Sequence, residues 1–509
     1  MKKTTALLAA LILLLGLCAC AAHPASGPAA GSAGAGQTAV FAVSFSYPSL
    51  DAHKDYNGWY TSIYGLTETL FKMDDHSAAQ PWLAERAESD GNTWTVTLKD
   101  GLCFSNGDAV TADMVVRNLK RAAEVNERFA YLADFRIEAR DEKTLTIVTP
   151  DVYPTMKNDL ASPELAILDL DASADLDRAP VCTGPFVIDA FEPEDAVTVV
   201  RNERYWGGAV RLAGAAFLYM QEDAPKQLAM QNGELDGYTS VTASALEIYR
   251  SDPARYAVTV VPAARLQFYA LNETRLDASV REAVNLTVDK QAIAKYLSGT
   301  VTAAEGPFSA DAAYGQAKTP AADPAKAAQL LEADGYTRGA GGFYEKDGKA
   351  LQLNICYYPA RSLDTVAALM QEQLKAVGID SVLTSEEDPD STYLATGDFD
   401  VALYCMIADK AGDPYYFIDA VLRQNSRWAI AGFRSDECEQ LIGELASETD
   451  AARRAELANR IVQLSIDDNA FGYVGLFNKT TVLRPGVSGY SETCPFDFYG
   501  ISAVTEKQS

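Results

Sequence analysis

Few residues in this 509-residue chain suit covalent or metal chemistry. There are three histidines, His23, His53 and His76. A Ser/His/Asp relay would have to use His53 or His76, and no Gly-x-Ser-x-Gly elbow presents a nucleophile. Two of the eight cysteines, Cys18 and Cys20, end an N-terminal apolar run. The others, Cys103, Cys182, Cys356, Cys405, Cys438 and Cys494, stand at no zinc-ligand spacing, so free, buried thiols are expected. Gly339-Ala340-Gly341-Gly342 lacks a following Lys-Ser/Thr and reads as a hairpin turn, not a phosphate loop. With 70 acidic residues, no carboxylate pair stands out as a glycosidase centre. No cofactor and no protein-built metal site are expected, and a binder ranks above a secreted hydrolase.

The 70 acidic residues against 43 basic ones leave a net charge of −27. Nucleic acid and anionic lipid surfaces need basic patches, so the charge argues against both as partners. Hydrophobic residues make up 48% and charged residues 22%, an ordinary globular composition long enough for two or three domains.

The N-terminus reads as a targeting segment. Lys2 and Lys3 precede an apolar run, Ala6 to Leu17, that is too short to span a bilayer. Residues 21–37 are mostly Ala, Gly, Ser and Pro, the composition of a flexible tether.

The elements behind any site are best marked in residues 80–123. Thr93-Trp94-Thr95-Val96-Thr97-Leu98 alternates as a half-buried strand. Thr111 is placed to cap a helix striped by Val115, Leu119 and Ala122. Residues 61–71 are expected to be helical, carrying Ile63, Leu66, Leu70 and Phe71. Phe186 to Phe191 and Ala196 to Arg201 read as a hairpin. Residues 351–383 read as a βαβ unit whose helix ends at Gly378, and Phe399 to Tyr404 as another strand. The class is α/β.

Residue order adds more than pattern. Pro81-Trp82-Leu83-Ala84-Glu85, Trp94 to Gly101, Phe104-Ser105-Asn106-Gly107-Asp108 and Thr111-Ala112-Asp113 together resemble a long signature. It belongs to the family 5 solute-binding proteins of peptide and nickel ABC importers. Gly184-Pro185-Phe186 and Arg201-Asn202-x-x-Tyr205-Trp206-Gly207-Gly208 resemble the same family. Leu17-Cys18-Ala19-Cys20 resembles a bacterial lipobox with Cys20 as the lipidated residue.

The resemblance implies a two-lobed, periplasmic-binding-protein-like α/β fold (type II, cluster C) with an inserted domain and a cleft between lobes. Its expected layout gives residues 38–55, 180–265 and 480–509 to lobe I, 56–179 to the inserted domain and 266–479 to lobe II. It implies a monomer held by lipid outside the cytoplasmic membrane, delivering solute to a permease driven by an ATPase.

The ligand is expected to be a short peptide or similar amine-bearing solute, with a nickel or other metal chelate as the alternative. On the nickel branch Arg128 falls on an arginine that reaches chelate carboxylates. Tyr131 falls on a cleft tryptophan, and Tyr60 on a pocket-lining position. Glu164 falls where a second arginine is expected, and a carboxylate there repels an anionic chelate. Asp409 falls near the aspartate with which peptide binders pair the ligand's α-amino group. Glu164 and Asp409 together tilt the reading toward an amine.

Overall fold

The computed structural model describes residues 37–45, 48–410, 412–426, 428–490 and 493–508. Cys20 and nearly all of the expected tether lie outside them. No helix among the described residues is long and apolar enough to cross a membrane.

A large mixed sheet runs through the protein. Its order is Asp380–Ser385, Gln352–Tyr357, Val401–Ile407, Ala257–Leu271, Phe471–Leu483, Gly237–Thr239, Thr38–Val43, Gly214–Tyr219, Ala196–Arg201 and Phe186–Glu192. Val301–Ala303 adds to Phe471–Leu483 off this path. A separate antiparallel sheet of four strands, in the order Ala84–Asp90, Thr93–Leu98, Thr144–Val148 and Arg136–Ala139, packs beside the helix Ala112–Val125. The alternation in Thr93–Leu98 buries Trp94, Val96 and Leu98, and Thr111 caps the helix by accepting from the Met114 amide.

The apolar cores separate along the chain. One runs from Leu70 to Ile167 and is completed by Cys494, Phe496 and Phe498. Another gathers Phe41, Phe186, Phe217 and Tyr490. The segment from Leu266 to Leu476 builds two more, around Leu353 and Met370 and around Phe417 and Ile461.

The two longest strands, Ala257–Leu271 and Phe471–Leu483, run antiparallel between these cores. Their register breaks between Pro262 and Leu266, leaving Ala263, Ala264 and Arg265 outside the ladder. Proline has no amide hydrogen to donate, so a bulge beginning at Pro262 costs little. On the other side Arg265 still pairs with Ile407.

Several sequence expectations meet the structure closely. The Phe186–Glu192 and Ala196–Arg201 hairpin forms, Gln352–Tyr357 and Asp380–Ser385 pair in parallel, and Gly378 caps the helix Leu363–Val377. The helix expected over 61–71 is instead Asn57–Ile63. Gly65 turns the chain out of the helix with a positive φ, and Leu66 and Leu70 are buried on the extended segment beyond it. The six described cysteines are unpaired, five buried and Cys103 half-buried.

Candidate functional site

Gly58 explains how the first wall of the site is set. A Cβ there would stand 2.5 Å from the Pro163 carbonyl. Only glycine lets the helix Asn57–Ile63 lie against the short turn Pro163–Leu165, which carries Glu164. Facing it, Asn126 caps the turn of helix Glu127–Asp134 by accepting from the Arg128 amide. The Asn126 side-chain amide donates to the His53 and Asp55 carbonyls and ties this turn to the preceding loop.

Arg128 and Glu164 therefore meet. Arg128 Nη1 donates to Glu164 Oε1 at 2.6 Å, and the guanidinium lies 4.1 Å from the Tyr56 ring centre. Glu164 is buried, with 1% of its side chain exposed. Its second oxygen, Oε2, has no hydrogen-bond partner among the described residues. Burial raises the Glu164 carboxyl against the pull of Arg128.

The second wall comes from the other side of the bulge. Asp409 follows the strand Val401–Ile407, and its amide donates to the Ala264 carbonyl at 3.4 Å. Asp409 Oδ2 accepts from the Tyr314 hydroxyl at 2.7 Å, and Oδ1 from the Gly412 amide at 2.6 Å. Burial raises its carboxyl to about 6 despite these donors. Nearby Asp413 is committed elsewhere, to a buried ion pair with Arg454.

A third wall is the loop Pro495 to Phe498. The buried Lys479 ammonium donates to the Cys494 and Phe496 carbonyls at 3.2 Å each and fixes this loop to a crossing strand. Phe498 packs its ring against both Trp59 and Phe496.

These walls enclose a cavity of about 100 Å³ that brings together Arg128, Glu164, Asp409, Lys410, Arg265 and Asp497. Its apolar lining includes Trp59, Ile407, Phe496 and Phe498. Three cationic and three anionic side chains thus face one small space. Tyr60 does not line it; its neighbour Trp59 does, while the Tyr60 ring packs against Tyr64. Tyr131 does not line it either. Its hydroxyl donates to the buried Asp159, as does that of Tyr153. Arg128 is not a free fork either, since Glu164 already holds Nη1.

Sequence reasoning missed Trp59, Arg265, Lys410 and Asp497. Trp59 and Lys410 stood next to the candidates Tyr60 and Asp409. Arg265 depends on a bulge and Asp497 on a loop fastened by a distant lysine, and neither leaves a local signal.

Neither His53 nor His76 builds a catalytic relay. His53 is buried, with Nε2 on the Ala166 carbonyl and Nδ1 beside Arg121, and burial pushes its pKa down to about 4. His76 lines a different cavity. Among the described residues no cluster of His, Cys, Asp and Glu could hold a metal ion.

The family of bacterial extracellular solute-binding proteins, family 5, matches residues 78–428 through its middle region. The chain belongs to this family. It is an α/β, two-lobed solute-binding protein of the kind that serves ABC importers, and the family is extracytoplasmic and non-enzymatic. The chain is 25% identical to the nickel-binding protein NikA of Staphylococcus aureus over 84% of its own length and 87% of that protein. It is 28% identical to the glutathione-binding protein GsiB of Pectobacterium atrosepticum over 60% of its length and 62% of that protein. The crystal structure of a nickel ABC transporter protein from Bacillus halodurans superposes with a TM-score of 0.84 at 26% identity, covering 92% of this chain and 99% of that one.

Proposed function

We propose that this family 5 protein captures a small amine-bearing zwitterion, such as a very short peptide, in the cavity between Arg128, Asp409 and Asp497. The observation that carries this reading is Glu164 Oε2, a buried acceptor without a donor among the described residues. Leaving such an atom unmatched costs about 1–3 kcal/mol, which a ligand ammonium recovers. The balance of three cationic and three anionic side chains suits a solute whose own charges cancel. A cavity of about 100 Å³ favours a small solute over an extended oligopeptide.

Binding acts by lobe closure. A solute that touches Glu164 on one side and Asp409 on the other binds the closed form best, and that difference shifts the equilibrium. The loaded form docks on a permease coupled to an ATPase. A lipid on Cys20 anchors the protein; Cys20→Ser should release it from membranes or block processing. Unchanged lipid labelling of that variant would end the anchor reading.

A metal chelate is the second reading, supported by the nickel-binding relatives. With no protein-built ligand cluster among the described residues, the metal would enter with organic ligands supplying its coordination. The balance of three cationic and three anionic side chains then suits a chelate with little net charge. Mass spectrometry and metal analysis of the solute that co-purifies separate the two. An organic amine without metal supports the first reading, and stoichiometric metal supports the second.

A further inference from the structure

The cavity of Arg128 and Asp409 and the larger one that His76 lines share a wall. Pro495 to Phe498 border the smaller space, and the residues at either end of that run, Cys494 and Tyr499, border the larger. One stretch of chain, residues 494–499, therefore stands between about 100 Å³ and about 750 Å³. No helix or strand among the described residues includes it, so no ladder of its own stiffens this wall.

It is fastened from outside. Phe496 and Phe498 bury their rings in the core that runs from Leu70 to Ile167. The Tyr499 hydroxyl accepts from the Met73 amide at 2.8 Å, and the Tyr499 ring meets Trp82 edge-on. The Lys479 ammonium donates to two carbonyls of the stretch, those of Cys494 and Phe496. Lys479 is 6% exposed, and its charge also acts on the Asp497 carboxylate. Burying an ammonium is a costly way to hold a loop, because neutral carbonyls recover only part of its lost hydration. An apolar side chain of the same length would fill the space without that cost, so what the charge adds is a fixed position for the wall. The strand sets that position. Lys479 follows Asn478, the partner of Pro262 at the start of the bulge. The wall thus hangs beside the bulge whose Ala264 and Arg265 line the smaller cavity.

We propose that residues 494–499 form a partition that limits the length of the solute, with Lys479 as the positioning residue that holds it in place. With the partition fixed, a solute has only the smaller space, and each added residue must displace packed side chains. With it loosened, the neighbouring space becomes continuous with the site and longer solutes fit. The proposal rests on the small-zwitterion reading above and adds the physical cause of its size limit.

The test is calorimetric titration of the intact protein with glycine, diglycine, triglycine and tetraglycine, a ladder that grows while its charged ends stay the same. In the parent, affinity should fall by about tenfold or more at the first member too long for the smaller space. Lys479→Met should weaken the best-bound member about fivefold and move that fall at least one residue along the ladder. Lys479→Arg, which keeps the donors, should leave the fall where it was. Tyr499→Phe, which loosens the other end, should move it in the same direction by less, and it carries the test if Lys479→Met does not fold. A loss by the same factor at every member in the loosened variants would make the fastening purely structural and overturn the proposal. A parent that binds the whole ladder without a fall would overturn it too, while leaving the zwitterion reading intact. If no member binds the parent, the zwitterion reading fails and the partition falls with it.

Discussion

Two cavities among the described residues invite comparison, and the larger makes the weaker case for a site. It encloses about 750 Å³ beside Glu68, Lys72 and Trp82, against about 100 Å³ in the cavity of Arg128 and Asp409. In the larger one the buried polar groups are spoken for. Glu68 accepts from the Tyr205 hydroxyl at 2.6 Å and the Trp206 indole at 2.7 Å. Asp74 accepts from the His76 and Ala78 amides and from Gln80, and the Lys72 ammonium lies over the Trp82 ring. In the smaller one Glu164 Oε2 is unmatched among the described residues. Unmet hydrogen bonds and charges, rather than volume, mark where a solute has something to gain.

Exchanging one carboxylate in each cavity tests that contrast most severely. Glu164→Gln should weaken solute binding by roughly thirtyfold or more, since a buried charge that faces the ligand is removed. Glu68→Gln should leave affinity within about twofold and show its effect in thermal stability, where loss of a buried hydrogen-bonded acceptor costs about 1–3 kcal/mol. Titration calorimetry and melting of both variants check this. The opposite pattern would move the site to the larger cavity.

A smaller effect, about tenfold, is expected at Asp409→Asn, together with an altered pH dependence. Burial sets the Asp409 carboxyl at about 6 and also raises Glu164 and Asp497. A ligand ammonium favours the ionised carboxylates, so their pKa values fall on binding. Affinity is therefore fullest above about pH 6 and declines as pH drops through that value, with proton release during binding. Asp409→Asn should flatten the part of the profile centred near 6, whereas an unchanged profile would exclude Asp409 from the ligand's field.

Gly412→Ala should cost less, roughly fivefold in affinity. A Cβ at Gly412 would stand 1.8 Å from the Ser77 carbonyl oxygen, and its φ of +73° is strained for alanine. The substitution pushes the Asp409 loop off the Ser77 turn, so the penalty appears in solute titration and is accompanied by a modest loss of stability. Full affinity would show that this contact is dispensable. The smallest change, within about twofold, is expected at Tyr60→Phe, because Tyr60 packs on Tyr64 outside the smaller cavity. A tenfold loss there would redraw the site's boundary.

Much of the framework was legible locally. Thr93–Leu98 alternates apolar residues with threonine, and Thr111 sits ahead of an apolar stripe, so strand and helix follow from spacing alone. The misplaced helix at 61–71 shows where spacing fails. Ile63, Leu66 and Leu70 have helical periodicity, but Gly65 breaks the chain and tertiary burial takes the last two residues on an extended path. The site was legible only in part. Family resemblance pointed to Arg128, Glu164 and Asp409, yet their relation was not visible. Glu164 looked like a replacement for an expected arginine, and it proves to be the partner that occupies Arg128. Arg265 and Asp497 are 232 residues apart in number (497 − 265), so no window of sequence could join them.

The bulge at Ala263, Ala264 and Arg265 also limits how such a cavity can change through insertion or deletion. Successive residues of a strand face opposite sides, so removing one residue there turns every side chain from Leu266 to Leu271 over. Leu266, Phe268 and Ala270 belong to one core, while Tyr269 and Leu271 belong to another. A length change at the bulge would therefore scramble two cores at once, whereas an exchange of side chain at Arg265 disturbs neither. Variation in what the cavity reads is thereby channelled into residue identity at a fixed chain length.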